Sequence, residues 1–257
     1  MIQIPRKIIR AMGFTRECQG LIDRYINVEG AWDSHIKQSK DFILEILKGT
    51  KIENLAVYGS GWLLDLPLEE LTEIAECIRL YDIEHPQQIR ERTVKFKNVK
   101  LIQADITGGG IMNAVKAVKE YRRSKTKTPP EMIADAQFEP EVKPDYIISL
   151  NMLSQTGVML TDYLMHTIPY SAEEITKINR LLQLSHMQLL IPGKSCLITD
   201  YRELHFSFSG EQTGAKDLIS IPLPESKHKQ HWDWQFDPQG GYLPDTKTIL
   251  QVIACVI

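Results

Sequence analysis

Five short apolar runs, spaced along the chain and separated mostly by stretches of helical periodicity, constrain this sequence more than any other feature. They read NLAVYGSG (Asn54 to Gly61), CIRLYDIE (Cys77 to Glu84), VKLIQADI (Val99 to Ile106), DYIISLN (Asp145 to Asn151) and SCLITDY (Ser195 to Tyr201). Each is nearly continuous in apolar residues. Strands with one wet face alternate, whereas unbroken runs belong to strands covered on both faces, as in a parallel sheet. The intervening segments supply the covering helices. PLEELTEIAECI (Pro67 to Ile78) begins with a proline and two glutamates, as helix starts favour. GIMNAVKAVKEYRR sets Ile111, Val115 and Val118 on one stripe, and SAEEITKINRLLQLSHMQLL opens with a capping box from Ser171 to Glu174.

Alternating strands and helices predict an α/β chain with right-handed crossovers, a Rossmann-like, doubly wound and mostly parallel sheet of about seven strands. The rhythm changes at the end. HWDWQFD (His231 to Asp237) and TKTILQVIACVI (Thr246 to Ile257) flank PQGGYLPD, with no helix between them. This predicts a C-terminal antiparallel β-hairpin closing the sheet. Helical spacing from Ala31 to Leu47, and a mostly helical reading of residues 1–30, predict an N-terminal helical extension over 1–50 and a Rossmann domain over 51–257. The polar, proline-containing stretch from Lys125 to Pro144 reads as a surface excursion before the fourth strand.

Composition narrows the class. Apolar residues at 43% and charged residues at 25% suit a folded domain with a sizeable core. With 30 basic and 33 acidic side chains there is no global basic field, so charge implies no nucleic-acid partner. Cys18, Cys77, Cys196 and Cys255 lie far apart without a CxxC pair, as expected of reduced thiols in the cytoplasm. His228 and His231 are too few for a metal site, and no metal is expected. The start, MIQIPRKIIRAMGF, lacks the apolar core of a signal peptide, and no stretch is apolar for long enough to span a bilayer. Oligomeric state is not legible.

Ligands of open parallel sheets bind at the carboxyl ends of the strands, so the residues there are the candidates. After the first strand stand Tyr58, Gly59, Ser60 and Gly61, where glycines let the backbone approach a ligand or simply make a turn. Asp82 ends the second strand, 21 residues beyond Gly61, the separation at which an acid grips ribose hydroxyls. A solvated strand-end aspartate is its plainer reading. Asp105 and Ile106 end the third strand; the aspartate suits either an adenine amino group or a helix cap. Asn151, ahead of Met152, Leu153, Ser154 and Gln155, either faces a reaction centre or terminates the fourth strand. Tyr201, Arg202 and Glu203 line an acceptor pocket or form surface ion pairs. His166 is a candidate general base. Arg122 to Lys127 read as a solvated helix end favoured by the helix dipole.

GSG, YDIE, ADI and SLNMLSQ, in this order and with a terminal hairpin, resemble the class I S-adenosylmethionine-dependent methyltransferases from Asn54 to Ile257. The resemblance implies S-adenosylmethionine as cofactor, and methyl transfer to an acceptor that it does not name. It also implies that Gly59 to Gly61 line the methionine part, Asp82 holds the ribose, Asp105 and Ile106 address adenine with Ile83 beside them, and Asn151 lies near the transferred methyl. The family often reads acidic-x-G-x-G-x-G, where this chain has Val57 at the acidic position and Leu63 at the third glycine. Asp65 is the nearby acid that can replace the missing one. The Asn-Pro-Pro-Tyr signature of amino-group methylation is absent. Of two other readings, one is a non-catalytic binding protein that keeps the fold. The other, a nicotinamide-dependent oxidoreductase, meets Leu64 where G-x-G-x-x-G requires its third glycine.

Overall fold

The structure, a computed structural model, describes residues 4–135 and 137–257. Helices α1 (Arg6–Ala11), α2 (Phe14–Asn27) and α3 (Asp33–Leu47) precede β1 (Ile52–Tyr58), α4 (Leu68–Ile74), β2 (Ala75–Asp82), α5 (Gln87–Thr93) and β3 (Val99–Gln103). Then come α6 (Gly110–Ser124), α7 (Pro130–Ile133), β4 (Tyr146–Leu150), α8 (Val158–Met165) and α9 (Ala172–Leu189). The chain ends in β5 (Ser195–Phe206), β6 (Gln212–Asp217), β7 (Lys229–Asp237) and β8 (Lys247–Val256).

The strands lie in the order β3-β2-β1-β4-β5-β8-β7, with β6 paired to β5 off this path. β1 to β5 are parallel, and β8 inserts antiparallel between β5 and β7. The expected hairpin is therefore β7–β8. An eighth strand joins the expected seven because β5 is long. Its first half pairs with β4, while Arg202–Phe206 run beyond the carboxyl edge and pair with β6. A break in register between Asp200 and Arg202 marks where β5 leaves the parallel part.

Local rules explain most elements. The capping box at Ser171 and Glu174 is formed and starts α9. Ile111, Val115 and Val118 are all buried on α6. On α3 the buried residues are His35, Ser39, Phe42, Ile43 and Leu47, one face at steps of three and four. Phe42, Ile43 and Leu47 share one apolar cluster with Leu55 and Val57 of β1 and with Trp232 and Trp234 of β7. The indole of Trp32 donates to the Phe236 carbonyl at 2.9 Å.

Two expectations need correction. The helix read from Pro67 to Ile78 stops at Ile74, with Pro67 as its N-cap, and Ala75 to Ile78 already belong to β2. Apolar periodicity cannot separate a helix from a strand that follows it without a turn. The stretch from Lys125 to Pro144 is mostly exposed, as a surface excursion is, but it is also anchored in the core. It carries α7, whose Pro130 and Ile133 are buried, and it sends Phe138 into the core. The Phe138 ring meets Tyr58 and Tyr81 edge to face at 5.8 and 5.6 Å. Its backbone passes so close to Gly108 that an added Cβ there would lie 2.5 Å from the Phe138 nitrogen. The polar neighbours hid one large anchor. Among the described residues, no helix is long and apolar enough to cross a membrane.

Phe138→Ala is expected to cost about 3–5 kcal/mol, as for other buried aromatics. Urea denaturation checks it, and a loss below about 0.5 kcal/mol would return the segment to the surface. A second test concerns His186 on α9, whose Nε2 lies 2.7 Å from Ser149 Oγ inside the core. Burial drives this imidazole from 6.5 down to about 4. Between those values the unfolded chain binds a proton that the folded chain refuses, so the residue's contribution to stability falls as pH falls. The stability gap between wild type and His186→Gln should therefore shrink by about 1.4 kcal/mol per pH unit through this window. A gap constant with pH would show that the buried ring accepts the proton.

Candidate cofactor and acceptor site

The sheet order reverses between β1 and β4, because β2 and β3 continue on one side and β5 on the other. In such sheets the crevice opens at the carboxyl ends of the two strands that diverge. Gly59 and Ser60 leave β1 with their N–H groups on the Tyr81 carbonyl, at 3.0 and 3.3 Å. Gly59 has φ +81, and a Cβ on it would lie 2.4 Å from the Leu150 carbonyl oxygen at the end of β4. Only glycine fits there. Gly61 also has positive φ, but nothing stands within 4 Å of its missing Cβ, so the space beside it is open.

The N–H of Gly61 donates to Asp82 Oδ2 at 2.8 Å, and Glu84 N–H reaches Asp82 Oδ1 at 3.4 Å. Asp82 thus fixes the glycine turn while part of its surface remains open. Burial raises its carboxyl above the usual range, and the N–H groups of Gly61 and Glu84 oppose the rise. Ile83 packs partly buried against the apolar cluster that includes Ile111. Ser60 is buried, its hydroxyl 3.2 Å from His85 Nε2, and burial brings that imidazole to about 4.

Other candidates are occupied. Tyr58 is buried with its ring against Tyr81 and Phe138, so it offers the crevice only backbone. Asp105 accepts from the N–H and hydroxyl of Thr107 and from Ile111 N–H, which makes it a cap for α6. Ile106 is buried on the Tyr58 side of the sheet. Leu63 stands where the family places its third glycine, yet keeps a left-handed backbone with φ +54 while fully buried. The turn thus holds a left-handed backbone, uncommon for a side chain of this size, by burying it as an apolar anchor.

Asn151 ends β4 in a left-handed conformation, φ +52, with its N–H on the Ile198 carbonyl. Its Nδ2 donates to Asp65 Oδ2 at 2.8 Å, and its buried Oδ1 has no partner. His35 of α3 stands behind Asp65, with Nε2 3.7 Å from Asp65 Oδ2. Its Nδ1 accepts the Trp232 indole N–H at 3.0 Å, and its ring stacks on Trp234 at 3.9 Å. Accepting at Nδ1 places the proton of the neutral ring on Nε2, toward Asp65. Beyond them, Ser154 donates to the buried Asp200, and Glu203 pairs with His205.

The remaining candidates are dispersed. Tyr201 packs edge to face on His231, Arg202 pairs with Asp217 at 3.5 Å, and His166 is exposed, its Nδ1 2.7 Å from its own helix's Asp162 carbonyl. None of these three is joined to Asn151 by a described hydrogen bond. Sequence reasoning placed Ser154 in the stretch after the fourth strand but missed His35 and Asp200 as site residues. Only Asp200, at the carboxyl end of the fifth apolar run, carried a positional signal.

Helix α2 crosses this edge. Thr15 Oγ1 donates to Glu84 at 2.6 Å, and the Trp62 indole donates to the Cys18 carbonyl at 2.7 Å. Further along α2, the Arg24 guanidinium lies over the rings of Phe236 and Tyr242, at 4.7 and 5.1 Å. Two open depressions, of about 390 and 330 Å³, lie elsewhere: one by Lys143, Asp145 and Lys194 where β4 and β5 begin, the other by Glu131 and Leu184 along α7 and α9.

No family model matches the chain, and no curated protein does. Among solved structures it is similar to the N-methyltransferase NodS from Bradyrhizobium japonicum in complex with S-adenosylhomocysteine, at 12% identity and a TM-score of 0.39, over 85% of this chain and 86% of that one. It is similar also to 1,6-didemethyltoxoflavin-N1-methyltransferase from Burkholderia thailandensis, at 8% identity and a TM-score of 0.43, over 100% and 92%. A third is precorrin-6y C5,15-methyltransferase from Geobacter metallireducens, at 13% and 0.32, over 84% and 86%. The fold is assigned on the strand order: a parallel β3-β2-β1-β4-β5, then a reversed β8, then β7 running with the parallel set, is the sheet of the class I S-adenosylmethionine-dependent methyltransferases.

Proposed function

We propose that this chain transfers a methyl group from S-adenosylmethionine to an acceptor. The observation that carries the reading is the Asp82 carboxylate on the Gly61 N–H, at the point where the strand order reverses. The residues present fit such a cofactor in three respects. The space beside Gly61 is open, Asp82 keeps an exposed portion, and the buried Asn151 Oδ1 has no partner. Bound there, the cofactor supplies a methyl group activated by sulfonium.

The chain's own part is to bind and orient. Gly59 and Gly61 bring backbone to the methionine portion, and the lone pairs of Asp82 not used by Gly61 accept from the ribose diol. Ile83 provides an apolar flank for the base, while Asp105 fixes the start of α6 behind it. Asn151 positions the reacting groups. Residues 1–50 act as an extension whose α2 covers the edge and keeps water out, and desolvation with alignment is most of what transfer from a sulfonium requires.

One observation favours a non-catalytic binding role instead: Val57 fills the family's acidic position and is wholly buried. The nicotinamide reading is opposed by antiparallel β8 beside β5, where the dinucleotide fold continues in parallel.

Calorimetric titration with S-adenosylhomocysteine, alongside NADH, tests the proposal. Binding of the former alone is expected, and Asp82→Ala should weaken it by about 1.5–3 kcal/mol through lost charge-assisted hydrogen bonds. Unchanged affinity in that variant would sink the ribose role, and failure of both ligands to bind would favour the non-catalytic reading.

A further inference from the structure

We propose that the open edge of β7 pairs with the β7 of a second copy of this chain, antiparallel about Trp232, so that one sheet runs through a dimer. The inference stands apart from the methyl-transfer reading, and its test uses no cofactor.

The phase of the ladder shows which backbone groups are free. β7 is the last strand of the sheet and pairs only with β8. The His228 carbonyl accepts the Val256 N–H at 3.2 Å, and the same register sets Gln230 on Ala254, Trp232 on Val252 and Trp234 on Leu250. An antiparallel pair bonds at every second residue, so Gln230, Trp232 and Trp234 turn their N–H and C=O toward β8. Lys229, His231, Asp233 and Gln235 turn theirs outward. Among the described residues, no group beyond β8 bonds to the backbone of those four.

The free edge is long and uninterrupted. β7 runs for nine residues without proline or glycine, whereas β3 at the opposite edge has five. Its register with β8 holds from Lys229 to Trp234 and shifts only beyond. An unpaired edge of that kind is a template for another strand unless it is covered, bulged or charged. Helix α3 packs on one face of β7 but also touches β5 and β8, so it lies inboard of the edge.

The charges select the occupant. Lys229, His231, Asp233 and Gln235 are exposed and share one face, opposite the buried Trp232 and Trp234. Turned antiparallel on itself about Trp232, β7 sets His231 opposite Asp233 on both sides of the axis. Lys229 then stands opposite Gln235 and diagonal to Asp233. Every outward residue meets an outward residue, as bonding in an antiparallel pair requires. An axis at Asp233 would set that carboxylate against its own copy, and an axis at His231 would leave Gln235 opposite residues outside the strand. A second copy therefore matches this edge in one register. Main-chain bonds give such strand addition its affinity and the side chains its selectivity. The area buried is small, so a dimer that dissociates on dilution is expected.

Sedimentation velocity of the full chain without ligand, over about 1–500 µM, tests the pairing. Wild type should show a monomer–dimer equilibrium. Asp233→Lys sets a cation opposite His231, and His231→Asp sets an acid opposite Asp233. Each change should raise the dissociation constant about tenfold or more, because it acts on both sides of the axis. The double variant restores an acid opposite a base and should return the constant to within about threefold of wild type. Both side chains are exposed, so thermal unfolding of a diluted, monomeric sample should match wild type. A chain that stays monomeric across the range overturns the proposal. So does a dimer indifferent to the single changes, which places the contact elsewhere, or one that the double variant fails to recover.

Discussion

The close approach of β1 and β4 at their carboxyl ends is the constraint on which the rest of the molecule depends. Gly59 gives up its side chain because the Leu150 carbonyl stands where a Cβ would be. That contact brings the end of β1 against the end of β4 while the Gly59 and Ser60 N–H groups still reach Tyr81 on β2. The turn then has a fixed start, and Asp82 fixes its end by holding Gly61. Leu63 completes it with an unfavourable backbone angle stabilised by full burial, the kind of local strain that a packed surround sustains.

On this frame the polar groups of the crevice fall into two sets. Asp82, Glu84 and Thr15 lie toward β2, while Asn151, Asp65 and His35 lie toward β4. The first set is built by the Rossmann part with one contact from α2. The second requires three distant segments: the loop after β1, the end of β4, and α3 locked by β7. Burying a histidine beside an aspartate costs desolvation, and it is met here by an indole donor on one nitrogen and a carboxylate near the other.

What the sequence disclosed and what it hid divide along the same line. Buried parallel strands announce themselves, because both faces are apolar, and the capping box of α9 and the glycine turn carry their chemistry in adjacent residues. The doubly wound sheet and the closing hairpin were legible for that reason. β6 was not: QTGAKD is polar and exposed, and it exists only because β5 overruns the sheet. Phe138 was one apolar residue in a polar stretch, with no period to betray it. In the site, the glycines and Asp82 stood at the positions the strand ends dictate. Asp105 was equally well placed, and only its bonds to Thr107 and Ile111 reveal a cap. His35 gave no local sign, since its meaning lies in partners nearly two hundred positions away.

That separation has a consequence for how the molecule comes into being. Trp32 is bonded to Phe236 across 204 residues, and His35 to Trp232 across 197. Closing such loops is entropically late, because the intervening chain must be ordered before the contact is rewarded. During synthesis α3 emerges early, with an apolar face and a histidine whose partners have yet to be made. The Rossmann strands β1 to β5 can pair as they appear, but the crevice toward β4 acquires its final geometry only when the last hairpin docks. A chain arrested before β7 would hold a nearly whole sheet and half a site.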